Sequence, residues 1–255
     1  MTSQRTISIS TSSSSSTRSP SSPTATSLAF LVIAAWPLAC GLGVPGNGQR
    51  TMEDRAATSF SRLDSESSLD VQATRGDTFS VTVSIDSNLQ RYVTTRVSGD
   101  TLLVDVDHAV DDTVAGPHVI VTMPRLDQAI LGGSGRLVLA FQQDQPIELD
   151  LDGSGDLTFD GGAPRLTARL DGSGDMRIDG SADAVDLRLD GSGRMNARGC
   201  TATSADVSLG GSGDIAATVT GATRASLSGS GNIDLYGGGA LESTSVSGSG
   251  AIRRH

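Results

Sequence analysis

A serine held between two glycines can present its hydroxyl on a tight turn, and this chain repeats that arrangement. Gly-Ser-Gly occurs seven times, centred on Ser134, Ser154, Ser173, Ser192, Ser212, Ser230 and Ser249. Hydrolase nucleophile elbows also present a serine on a sharp turn, but between a strand and a helix and with a histidine partner. No histidine accompanies any copy here. His108, His118 and His255 are scattered, and each reads as an ordinary surface or terminal residue. A zinc site needs three or four ligands brought together, and these do not supply one. The expectation is no catalytic residue and no metal site, with the serine as a structural corner.

Aspartates flank that corner. Asp152, Asp171 and Asp190 form one column before it, and Asp156, Asp175 and Asp214 another after it. Stacked carboxylates repel, and calcium bound by oxygen ligands would relieve the repulsion. Calcium β-rolls, however, use a nonapeptide Gly-Gly-x-Gly-x-Asp repeat. Here Asp156 follows Gly155 directly, and the columns are interrupted by Arg136, Arg194, Gly210 and Asn232. Arg169, Arg177 and Arg188 stand nearby to neutralise the rest. The aspartates therefore read as a solvated charged face with no cofactor. Arg75-Gly76-Asp77, the tripeptide read by integrins, is sufficiently explained as a turn between two strands.

The elements that place these residues follow from the spacing. Successive serines are 20, 19, 19, 20, 18 and 19 residues apart. A fixed period of this kind is the signature of a solenoid. Three residues before each serine stand Leu131, Leu151, Leu170, Leu189, Leu209, Leu227 and Val246. Three residues after stand Leu137, Leu157, Met176, Met195, Ile215, Ile233 and Ile252. The adjoining positions are mostly polar: Asp150, Arg169, Arg188 and Ser208 before, Thr158, Arg177, Asn196 and Asp234 after. Such alternation marks strands with one face inward and one in water. A second short strand, such as Leu166–Leu170, completes each repeat. The fold expected is all-β: a single-stranded parallel β-helix, or β-solenoid, with coils of about 19 residues. Equivalent strands stack about 4.8 Å apart, and no coil can bury its inner face alone.

Upstream of the repeats the chain also alternates, at 69–73, 79–85, 102–106 and 119–123, with turns at Arg75-Gly76-Asp77, Ser98-Gly99-Asp100 and Ala115-Gly116-Pro117. These strands are expected to continue or cap the stack, and Arg253-Arg254-His255 to blunt its other end with charge. No window carries a helical period. The solenoid domain is placed at 57–255, with its Gly-Ser-Gly repeats over 129–252.

Residues 1–39 read as a secretory signal. A Ser/Thr-rich stretch with Arg5, Arg18 and no acid precedes the apolar run Leu28–Ala39. Twelve apolar residues are too few to span a bilayer, which takes about 20, but they suit a signal h-region. Ala39-Cys40-Gly41 resembles a bacterial lipobox, although Pro37 and Leu38 depart from its usual pattern. Cys40 is thus a candidate lipidation site, with ordinary cleavage and secretion as the alternative. Residues 40–56 would form a flexible tether. Cys200 reads as a free thiol, since two distant cysteines do not make a disulfide framework.

The net charge is −10, and all 19 basic residues are arginine. Nucleic-acid binding needs clustered positive charge, so it is excluded, and membrane attachment is expected only through a lipid on Cys40. Aromatics make up 3% of the chain, few for stacking sugars.

The sequence resembles the auto-transporter adhesin head domains of the GIN type. Phe60-Ser61-Arg62-Leu63, Val97–Leu102 and Val121-Thr122-Met123-Pro124-Arg125-Leu126 carry the resemblance, followed by repeats such as Leu151-Asp152-Gly153-Ser154-Gly155-Asp156-Leu157. It runs from about Phe60 to the C-terminus. It implies a parallel β-helix in an exported, often lipid-anchored bacterial protein, and carries over no catalytic or binding residue. The function expected is a non-catalytic adhesin or scaffold module of the cell envelope, in the outer membrane or periplasm. Its partner would be a surface protein or glycan. The alternative is a carbohydrate-active β-helix enzyme acting on a polysaccharide.

Overall fold

The computed structural model describes residues 43–112, 116 and 118–255. The expected signal and Cys40 lie outside the described residues. Strands β1 (Val44–Pro45), β2 (Arg50–Arg55), β3 (Arg62–Ser65), β4 (Val71–Arg75) and β5 (Ser80–Asp86) come first. After a 3₁₀ turn at Gln90–Tyr92 follow β6 (Val93–Ser98), β7 (Thr101–Val106), β8 (Val110–Asp111) and β9 (Val119–Met123). Then come β10 (Gln128–Leu131), β11 (Arg136–Gln142), β12 (Ile147–Leu151) and three long bent strands, β13 (Asp156–Gly172), β14 (Asp175–Gly191) and β15 (Arg194–Gly211). The last are β16 (Asp214–Val219), β17 (Thr223–Gly229), β18 (Asn232–Tyr236), β19 (Leu241–Gly248) and β20 (Ala251–Arg254).

These strands build a parallel β-solenoid of about seven turns with coils of about 19 residues. Each coil has a leading wall that runs into the Gly-Ser-Gly corner and a trailing wall that runs out of it. In β13 and β14 the two walls join through a bend near Gly161 and Gly180, so one strand serves both. Registers follow the repeat: Leu157 pairs with Met176 on the trailing wall, and Leu170 with Leu189 on the leading wall. The inward columns form a continuous dry core. Leu131, Leu151, Leu170 and Leu189 are all 0% exposed, as are Leu137, Leu157, Met195, Ile215 and Ile233. Burying each such side chain contributes roughly 1.5–3 kcal/mol.

The uneven spacing has a local cause. One of the two coils with serines 20 residues apart, Ser192 to Ser212, carries its extra residue as a bulge, where the register between β14 and β15 shifts after Arg177. The next coil omits the segment altogether, pairing Ala197 with Ala217 and then Thr201 with Thr218. The bulge turns Arg198 outward, where its guanidinium lies 4.3 Å from the centre of the Tyr236 ring.

The N-terminal strands join the stack out of chain order. β3 pairs in parallel with β7 on one side and β10 on the other. β4 likewise lies between β9 and β11. The coil β3–β4 is therefore sandwiched between coils made by later residues, and Pro124–Asp127 steps past it to reach the next level. Buried Gln143 holds this step. Its Nε2 donates to the Leu126 carbonyl at 2.8 Å, and its Oε1 accepts the Leu126 N–H at 3.0 Å.

Beyond β7 and β9 the pairing turns antiparallel. β6 lies on β7, β5 on β9, and β2 on β5. Ile85, Leu89 and Val93 fill the end of the core beneath them. The expectation of a tether over 40–56 is corrected here for residues 44–55. β1 pairs with β8, and β2 fills the free edge of β5 with six residue pairs, Arg50 opposite Asp86 through Arg55 opposite Val81. An unpaired strand edge at the end of a sheet is a template for such pairing, which outweighs the loop-like composition of the flanking residues.

Candidate binding surfaces

All seven corner serines are exposed, forming a ladder along one edge of the stack. Steric closeness explains the glycine that follows each. A Cβ on Gly193 would stand 2.3 Å from the carbonyl oxygen of Gly174, one coil away. Gly211, at φ +109°, has the backbone that side chains disfavour. The corner carbonyls are engaged by the neighbouring coil: Gly172 O accepts the N–H of Ser192 at 3.0 Å and of Gly193 at 3.1 Å. They are spent on stacking, which leaves the serine hydroxyls and the flanking acids as the groups the corner presents to solvent.

The flanking column after the corner runs Arg136, Asp156, Asp175, Arg194, Asp214, Asn232. Its interruptions partner its aspartates. Arg136 lies 3.6 Å from Asp156, Arg194 lies 3.7 Å from Asp175, and Asn232 Nδ2 donates to Asp214 at 2.9 Å. Arg169, Arg177 and Arg188, expected to neutralise the corner, are occupied elsewhere. Arg177 grips Asp179 through Nε at 2.6 Å and Nη2 at 3.0 Å, Arg188 binds Asp186 at 3.1 Å, and Arg169 pairs with Glu148 and Asp150. Side chains two residues apart on a strand share a face, so the outward arginines reach the wall acids before the corner ones.

The outward face of the leading wall is a candidate surface. Toward the N-terminal side, Arg62 donates to Gln128, Gln128 donates to Asp150 at 2.7 Å, and Arg169 closes the ladder. Burial pushes the Asp150 carboxyl above its ordinary value despite the Gln128 hydrogen bond. Asp64, two coils away in the same column, is also raised, by burial and then by the charge of Asp105. Toward the C-terminal side the wall opens into a shallow depression of about 470 Å³, with Arg188, Asp206, Ser208, Arg224 and Ser226 on its floor. Arg224 bridges Asp206 at 3.5 Å and Glu242 at 2.8 Å. Charged groups here pair with one another along the wall and do not converge on a reacting atom. What they present is a lattice of donors and acceptors at coil spacing.

One histidine departs from expectation. The His118 side chain is 16% exposed and its Nε2 lies 3.0 Å from the carboxylate of Asp112, itself 5% exposed. His118 Nδ1 accepts the Asp70 N–H at 3.0 Å. Asp112 Oδ1 in turn accepts the N–H of buried Asp86 at 3.2 Å. Arg50 Nε donates to buried Ser84 at 2.7 Å. These contacts tie the cap strands together. A lone histidine beside a Gly-Pro turn gives no sequence signal of this; only the pairing of β4, β5 and β9 brings its partners together. Among the described residues, no group of three or more His, Cys, Asp or Glu is arranged to hold a metal ion. His255 is terminal as expected, stacked on Tyr236 at 4.5 Å. Cys200 is buried and free, its thiol pushed up to about 11 by burial and then by Asp179.

The profile of the family described as "Putative auto-transporter adhesin, head GIN domain" matches residues 59–239. Among curated proteins no sequence matches the chain. Solved structures share the fold, among them the following three. A putative adhesin from Bacteroides fragilis superposes with TM-score 0.74 at 20% identity, covering 84% of this chain and 100% of its own. A putative adhesin from Parabacteroides merdae gives 0.64 at 20% identity, covering 84% and 99%. A protein from Parabacteroides distasonis described as a putative lipid binding protein gives 0.66 at 23% identity, covering 84% and 100%.

Proposed function

Because the chain belongs to the head GIN domain family of auto-transporter adhesins, we propose that it is a non-catalytic binding module of the cell envelope, exported and attached through a lipid on Cys40. The observation that carries this reading is the leading wall. Its Arg, Asp and Ser side chains repeat at coil spacing over a broad open face, with ion pairs that satisfy one another. Such a face suits a repeating or extended partner, a glycan chain or a surface protein, held by many weak polar contacts. A hydrolase or lyase instead needs an acid and a base aimed at one bond.

A photo-crosslinking side chain at Ser226 in intact cells tests it. Capture of a defined envelope glycan or protein from Ser226, and none from Thr158 on the trailing wall, is the expected result. Turnover of a pectin-like polymer by the purified protein would overturn it. Labelled fatty acid is expected to enter the wild-type protein and not Cys40→Ala; equal labelling of both would sink the anchor.

A further inference from the structure

The two ends of the stack are finished differently. At the N-terminal end the antiparallel strands β2, β5 and β6 cover the core. At the other end, among the described residues, no strand lies beyond β19 and β20. In the column before the corner, Val246 is 51% exposed, whereas Leu227 one coil below is 2% exposed. Ile252 in the matching column is only partly buried. Residues 243–248 of β19 hold no charge and no proline to protect the edge.

We infer that this end is a self-association surface and that its partner is a second copy of the same chain, joined end to end about a two-fold axis through the Gly248-Ser249-Gly250 corner. The geometry follows from the repeat. β19 runs toward that corner and β20 runs away from it. A two-fold axis through the corner, perpendicular to the stack, therefore lays β19 of one copy antiparallel along β20 of the other. Val246 stands three residues before Ser249 and Ile252 three residues after. The same axis brings these two apolar side chains opposite one another, twice. It also brings the far end of β19, with Glu242, to the far end of β20, with Arg254 and His255, so an acidic end faces a basic one, each also paired within its own chain, Glu242 with Arg224 at 2.8 Å and His255 with Asp234 at 2.9 Å. Thr244 and Arg254, each five residues from Ser249, face each other as a polar pair. Both open edges are paired at once. Because the contact is isologous and uses the same end of both copies, association through it stops at two and does not propagate into a fibre.

Sedimentation of the purified full chain should show a reversible dimer. Val246→Lys should weaken it about 30-fold or more, the cost of placing an unpaired charge in the contact, with an unchanged circular-dichroism spectrum and melting curve. Met52→Lys, at the capped end, should leave the dimer intact. In a Cys40→Ala background, Ser249→Cys should form a disulfide-linked dimer on mild oxidation, because the axis makes the two corners neighbours. Ser134→Cys, far down the same serine ladder, should not. A chain that stays monomeric at all concentrations, a dimer that survives Val246→Lys, or equal crosslinking at Ser134 and Ser249 would each overturn the inference. None of these readouts depends on export, on the lipid or on the leading-wall partner.

Discussion

Leu170 and Val246 occupy the same place in the repeat, three residues before the corner serine, and their surroundings are opposite. Leu170 is 0% exposed, with a coil on either side; Val246, in the last coil, is 51% exposed. Burial in this fold is made by neighbouring coils and not by the coil itself. At the other end the chain departs from its own repeat, closing the core with antiparallel strands and the buried side chains of Ile85, Leu89 and Val93.

Substitutions at matched positions test this contrast. The largest effect is expected for Leu170→Ala, about 3 kcal/mol lost by cavity formation between two packed coils, read from urea unfolding. Gly193→Ala should cost about 2 kcal/mol, because its new Cβ would lie 2.3 Å from the Gly174 carbonyl oxygen; a loss under about 0.5 kcal/mol would show that the corners can spread. Val246→Ala, in dilute monomeric protein, should change stability by less than about 0.5 kcal/mol. If it matches Leu170→Ala, the end coil is covered in solution.

Asp64 sharpens the picture on the outer face. One carboxylate oxygen is buried without a hydrogen-bond partner among the described residues, and its pKa is raised above 3.8. The folded chain therefore holds that proton to higher pH than the unfolded chain, so stability falls as pH rises through the raised value. Asp64→Asn should raise the melting temperature slightly at pH 7, and the gain should vanish below about pH 3.8. A gain that persists at pH 3 would assign the effect to something other than charge burial. Smallest of all is the response of Cys200. With its thiol pushed up to about 11 and buried, it should resist alkylation at pH 8 until the coils unfold, as mass spectrometry can follow.

The repeat region was legible because each coil carries the same information. The apolar columns three residues either side of every corner serine specify which residues enter the core, and the period specifies the stack. The cap was not legible to the same degree. Val71–Arg75 and Val119–Met123 both alternate, but alternation marks a strand and not its level, so nothing local says that the earlier coil lies inside the later one. The pairing of β2 depends on the free edge of β5, which no pattern within Arg50–Arg55 reveals. The partners of the corner aspartates were hidden for a related reason. Arg136, Arg194 and Asn232 look like breaks in a column until the lateral register makes them neighbours of Asp156, Asp175 and Asp214.

The sandwiched position of β3–β4 fixes an order of events. This coil is synthesised first, yet one of its faces is closed by β7 and β9 and the other by β10 and β11. A growing chain cannot complete it until residue 142 has emerged. The stack therefore cannot zip up from the N-terminus as the polypeptide is made. Once β11 is available the remaining coils can add one at a time, each closing on the last. For the export proposed above, that delay keeps the leading segment incompletely packed, because β3 and β4 lack one of their two neighbouring coils until β10 and β11 follow.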